Sequence, residues 1–125
     1  MSNENINTAG AAIAEALAEY DQEIADATKQ ITDEVAKEAV DTLKKSSPKL
    51  TGSYRKGWRK KQSYADKRTK RNTVYNETDY QLTHLLEYGH ASRNGGRVRA
   101  IQHIAPVEQA AIEALQERIE AAASK

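Results

Sequence analysis

Large apolar side chains recur at steps of three and four between Thr8 and Lys45: Ile13, Leu17, Tyr20, Ile24, Ile31, Val35 and Leu43, with Ala27 and Ala39 filling the gaps. Such spacing draws one stripe along a single helix. The segment is rich in Ala, Glu and Lys and has no Gly or Pro between Ala11 and Ser47. It therefore predicts a helix of more than about 30 residues, or roughly 50 Å at 1.5 Å per residue. A 125-residue chain has little surface with which to cover such a rod. Part of the stripe is expected to lie against another chain; the alternative is a helix that bends or breaks and folds back on its own domain. Ser46-Ser47-Pro48 ends the helix, because proline disfavours the helical region for the residue before it and donates no hydrogen bond.

After Leu50-Thr51-Gly52 the period changes to two. Tyr54, Trp58 and Tyr64 fall on one face of the run Ser53 to Tyr64, and Arg55, Arg59 and Lys61 on the other. This predicts a strand with one buried and one basic face. The polar stretch Ala65 to Arg71 connects it to a second β-type run, Asn72 to Glu77, as a hairpin. Thr78 and Gln81 have capping-box spacing, and Leu82, Leu85 and Leu86 follow before Gly89 supplies a helix stop. Ser92 to Gly96 reads as a flexible loop, Arg97 to Ile101 as a further strand, and Pro106 as the opening of a last helix with the stripe Val107, Ala111, Leu115, Ile119 and Ala122. The predicted fold class is α+β in one domain of residues 1–125: a long N-terminal helix over 1–46, a small antiparallel sheet (hairpin plus further strand) with a short middle helix over 47–105, and a C-terminal helix over 106–123.

Composition sharpens this picture. Leu, Ile, Val and Phe together number only 20, with no Phe, yet the net charge is +1. That predicts a thin core that folds but gains from partners, rather than disorder. The charge is segregated. Residues 1–45 carry 4 Lys/Arg against 10 Asp/Glu, residues 46–100 carry 13 against 4, and residues 101–125 carry 2 against 4. Acidic ends flank a basic middle. The absence of cysteine removes disulfides and thiolate chemistry and suits a reducing compartment. The polar, acidic start is unlike a signal peptide, and no apolar run approaches the roughly 20 residues of a membrane span.

Candidate chemistry is sparse. His84, His90 and His103 do not form a metal-ligand spacing, and no phosphate loop, nucleophile motif or dinucleotide fingerprint is present. No enzyme activity, cofactor or metal is expected. The densest signal is Arg55 to Arg71, where 9 of 17 residues are Lys or Arg. Arg59, Lys60, Lys61, Lys67, Arg68, Lys70 and Arg71 are candidates for contact with phosphate or with an acidic partner. One reading is a nucleic-acid-binding module; the other is a solvated basic face, or one that meets the acidic helix of an adjacent copy.

Three stretches together resemble a known family: Pro48-Lys49-Leu50-Thr51-Gly52-Ser53-Tyr54-Arg55, Tyr80 to Gly89, and His103-Ile104-Ala105-Pro106-Val107. They are similar to the phage tail-component family named for gene product ten of phage HK97, whose members show Pro before Thr-Gly and an aliphatic-Arg pair, then Glu-aromatic-Gly, then a proline at the start of the last helix. The matching positions are Pro48, Thr51, Gly52, Arg55, Glu87, Tyr88, Gly89 and Pro106, in a span of residues 46–115. Tyr54 stands where the family's aliphatic residue is usual, and Gln81-Leu82-Thr83-His84 replaces its Tyr-Ala-rich run. The resemblance implies a structural virion protein at the head-to-tail junction of a long-tailed phage, assembled in the host cytoplasm as a homo-oligomeric ring of the neck, tail-completion or tail-terminator type. Its partners would be portal-adaptor, neck or tail-tube proteins, with genome DNA passing through the ring without sequence-specific binding and no membrane contact. Gly52 and Gly89 are expected to take backbone angles closed to other residues, Arg55 and Glu87 to form an ion pair, and Ile13, Leu17, Tyr20 and Ile24 to face a neighbouring subunit.

Overall fold

The computed structural model describes residues 3–49, 52–92 and 95–124, with side chains described from Gly10 onward. Thr51 and the centre of the 92–96 loop lie outside the described residues. Helix α1 spans Asn3–Ser46, a continuous 44 residues, or about 66 Å at the helical rise. It is followed by α2 (Ser53–Lys56), β1 (Trp58–Ala65), β2 (Lys70–Asn76), α3 (Tyr80–Tyr88), β3 (His90–Ala91), β4 (Arg97–Val98) and α4 (Ile104–Ala123). The α+β class read from the sequence is the observed one, and α2 and β3 are additions to the predicted order.

The C-terminal half of α1 is the spine. Helix α4 packs along it, and β1 and β2 form an antiparallel hairpin laid against it. Val40 and Leu43 from α1, Tyr54, Trp58 and Val107 form the buried core, with Val74, Leu82, Leu86 and Ile104 packed around them. Farther along the α1–α4 seam, the Arg118 guanidinium forks onto the Glu38 carboxylate, one limb at 2.7 Å. At the end of α4 the Tyr20 hydroxyl donates to the Ala123 carbonyl at 3.1 Å.

Four local readings need correction. The run from Ser53 does not begin as a strand. Ser53–Lys56 forms one helical turn, entered through Gly52 at φ 95° and left at Gly57, and β1 starts only at Trp58. Long-range bonds hold this turn: the Asn76 amide donates to the Tyr54 carbonyl at 2.7 Å, and the Ser53 hydroxyl to Asp79 at 2.7 Å. A bulge between Gln62 and Tyr64 then shifts the hairpin register, which pairs Tyr64 with Arg71 and leaves Tyr64 47% exposed instead of buried.

The other three concern boundaries and caps. The hairpin connection is shorter than predicted, because β2 begins at Lys70 and Asp66 closes the turn by accepting from the Arg68 and Thr69 amides. Thr78 does not cap α3; its hydroxyl donates to the Ser53 carbonyl, and Asp79 occupies the cap position. The further strand, Arg97–Val98, pairs with His90–Ala91 as a separate two-stranded sheet.

Candidate functional site

The motif residues converge where α3 ends and α4 begins. A helix leaves its first four amide donors unsatisfied, and a buried helix start needs partners for them. His103-Ile104-Ala105-Pro106 contains none of the side chains that usually cap a helix from its own sequence. The partner comes from α3. The buried Glu87 carboxylate accepts from the amides of His103 (2.8 Å), Ile104 (2.9 Å) and Ala105 (2.9 Å). Pro106 stands at the fourth position and has no donor to satisfy. Helix α4 therefore starts two residues before Pro106, because Glu87 supplies the cap.

Around this cap lies a polar cluster sealed by aromatic rings. His103 is 4% exposed, with its Nδ1 2.8 Å from the Ile101 carbonyl and 3.3 Å from Glu87. A carbonyl only accepts, so Nδ1 carries the hydrogen in the neutral ring and Nε2 receives the Tyr54 hydroxyl at 2.6 Å. Tyr54 packs edge-on against both Trp58 and His103, with centroids 5.6 and 5.5 Å away. Trp58 donates its indole hydrogen to the fully buried Ser47 hydroxyl at 2.8 Å. Burial, aided by the Glu87 and Asp79 carboxylates, pushes the Tyr54 phenol up to about 12. Burial works against ionising Glu87 as well, yet the three amides and the nearby His103 outweigh it and hold the carboxyl below its usual range.

Arg55 and Glu87 do not form the expected ion pair. The Arg55 Nε donates to the Ser47 carbonyl at 2.5 Å, while Glu87 is committed to α4. Arg55 thus ties α2 to the end of α1, beside Pro48. Gly89 ends α3 at φ 74°, and a Cβ there would come within 2.6 Å of the Val98 carbonyl. Tyr88 is 61% exposed, leans on His84 at 4.9 Å between centroids, and receives an Arg97 hydrogen bond at its carbonyl.

The basic hairpin is largely spoken for within its own chain. Lys70 reaches Asp33 at 2.6 Å, Lys60 reaches the same carboxylate at 3.9 Å, and Arg68 reaches Asp21 at 3.3 Å, all on α1. Hydrogen bonds from Lys70 and Asn72 hold Asp33 below the usual carboxylate range. Arg59 pairs with Glu77 at 3.4 Å, and Lys61 and Arg71 lie over the Tyr75 and Tyr64 rings. The Lys67 carbonyl accepts from Gln22 at 3.2 Å. The expected meeting of acidic helix and basic hairpin occurs in cis for these pairs.

Among the described residues, two apolar surfaces stand out. On α1 every residue from Gly10 to Tyr20 is exposed, with Ile13 and Leu17 at 62% and Tyr20 at 46%. Ile24 is half-buried against the protein's own fold, beside Ala123 and Arg68. The second surface is a mainly apolar cleft of about 510 Å³ between α1, the hairpin, α3 and α4. Among the described residues, no group of three His, Cys, Asp or Glu side chains could hold a metal ion.

The cap, the glycine stop and the tied α2 are the residues that the phage resemblance rests on. The model of the family described as "Bacteriophage HK97-gp10, putative tail-component" matches residues 11–89, more than half of the 125. The chain belongs to this family. The match takes in most of α1, the hairpin and α3, and stops at Gly89, so α4 with Pro106 lies beyond it. No curated protein and no solved structure matches the chain.

Membership of the HK97-gp10-like family makes this a phage structural protein of the tail-component kind. Among the described residues no helix is long and apolar enough to cross a membrane. Its motif residues act on the fold: Gly52, Arg55, Glu87 and Gly89 each fix a chain reversal or a helix end. Sequence reasoning missed Ser47, Asn76 and His103 as members of the buried network. Only His103 carried a signal, since a helix start without a cap of its own has to be capped from elsewhere.

Proposed function

We propose that this protein is a non-enzymatic virion component that forms a homo-oligomeric ring at the head-to-tail junction, as a neck, tail-completion or tail-terminator protein. It folds as one domain, assembles in the host cytoplasm, meets portal-adaptor, neck or tail-tube proteins, and lets DNA pass without reading its sequence. The observation that carries this reading is the bare apolar stripe Ile13, Leu17 and Tyr20 on the exposed N-terminal turns of α1. Side chains of this size contribute roughly 1.5–3 kcal/mol each when buried, and a monomer leaves that gain unrealised. Helix α4 ends near Tyr20, so nothing within the described fold covers the stripe beyond it. Ile24 sits at its base.

The nucleic-acid reading is weakened by the same geometry that pairs Lys60, Arg68 and Lys70 with α1. A single substitution tests the assembly reading. Leu17→Asp is expected to leave the helical circular dichroism and melting temperature nearly unchanged, because the site is exposed. It should weaken self-association at least about tenfold per interface, the equivalent of about 1.4 kcal/mol. Light scattering across a concentration series measures this. An oligomer of unchanged mass and affinity would contradict the role given to the stripe.

A further inference from the structure

The stripe on α1 and the cleft on the body are both apolar, and one chain cannot bring them together. From Leu17 to Leu43, which lines the cleft, α1 runs unbroken for 26 residues, a separation of about 39 Å along the helix axis. We propose that the cleft of each copy receives the exposed α1 turns of the next copy, so that subunits join head to tail. The inference rests on the ring reading above and deepens it by naming the acceptor surface.

The shapes correspond. Ile13, Leu17, Tyr20 and Ile24 follow the i, i+4, i+7 spacing by which an amphipathic helix presents anchors to a groove. The cleft offers buried Leu43, Trp58 and Val107 together with partly buried Val74 and Tyr75, with exposed Tyr80 among its lining residues. Its volume of about 510 Å³ lies within the range of sites that enclose several side chains' worth of ligand.

The charges correspond as well. Residues 1–28 hold six Asp or Glu and no Lys or Arg. Two cations stand at the rim of the cleft, outside its lining: Lys61, whose Nζ lies 5.2 Å from the ring centroid of cleft-lining Tyr75, and Arg59, which is opposite Tyr75 across the strands and also pairs with Glu77. Glu19 and Glu23 flank Tyr20 on the donor helix and would approach this rim. Glu108 on α4 is the single carboxylate among the described lining residues. Because donor and acceptor are different patches, the contact is heterologous, and repetition of a heterologous contact closes a ring when its rotation allows.

The lack of native cysteine makes the test direct. Ala16→Cys adjoins the stripe without altering it, and Tyr80→Cys sits at the cleft; both sites are exposed, so both variants keep the core intact. The two full-length single variants are mixed and treated with a short bismaleimide. Formation of a covalent dimer containing one of each is the expected result. The double variant should give a ladder that ends at one closed size. Wild-type oligomers of defined mass without the mixed crosslink would overturn the cleft assignment and leave the ring reading standing. Efficient coupling of Ala16→Cys to itself would overturn it in favour of stripe-on-stripe pairing, and a wild-type chain that stays monomeric would overturn both.

Discussion

Replacing Glu87 with alanine is expected to cost about 3–5 kcal/mol, a large part of the stability of a domain of this size. The carboxylate is 4% exposed and satisfies three amides at the start of α4. Alanine would strand all three at about 1–3 kcal/mol each, less whatever water enters the space. Glu87→Gln keeps an acceptor oxygen but loses the charge, and should cost about half as much. The pH dependence separates the two contributions. A carboxyl held below its ordinary value of 4.5 in the fold stabilises the protein above that pH, and the gain is lost as pH falls through the folded value. Melts recorded from pH 7 down to pH 3 should show the gap between wild type and Glu87→Gln shrinking below about pH 4. A gap that stayed constant would mean that the charge of Glu87 does not stabilise the cap.

Gly89→Ala is expected to cost about 3 kcal/mol or more, combining a left-handed backbone with a collision. The residue sits at φ 74°, and the new Cβ would stand 2.6 Å from the Val98 carbonyl and 3.1 Å from the Ala100 amide. Both obstacles are backbone, so no side chain can swing away. Gly10→Ala is the control, since nothing lies within 4 Å of that position and it sits inside α1. Alanine there should stabilise the helix by up to about 1 kcal/mol. Urea unfolding of the two variants measures the contrast. Equal effects at both positions would remove the special role of Gly89.

The long helix was legible because its 3.6-residue period repeats over many turns, so errors at single positions average out. The turn at Ser53–Lys56 was not legible. Tyr54, Trp58 and Tyr64 mimic strand alternation, whereas the backbone there is set by Gly52, by a bond donated by Asn76 and by one accepted by Asp79, both more than 20 residues away. The same holds for the motif residues. Their types and order pointed to the family, but Glu87 looked like a partner for Arg55 because charge is visible in a sequence. Its actual partners are main-chain amides, which carry no residue identity. The hairpin cations show the converse: their density was plain, but only the fold reveals that Asp33 and Asp21 on the same chain already hold three of them.

The Glu87 cap closes a small core, and the apolar stripe of α1 extends beyond it. Electron microscopy of infectious particles is the direct test of the proposed position at the head-to-tail junction. Virions carrying this chain fused to a small density marker should show the marker as a closed ring between the head and the tail tube. Particles that are complete and infectious without any copy of this protein at that junction would contradict the proposed ring.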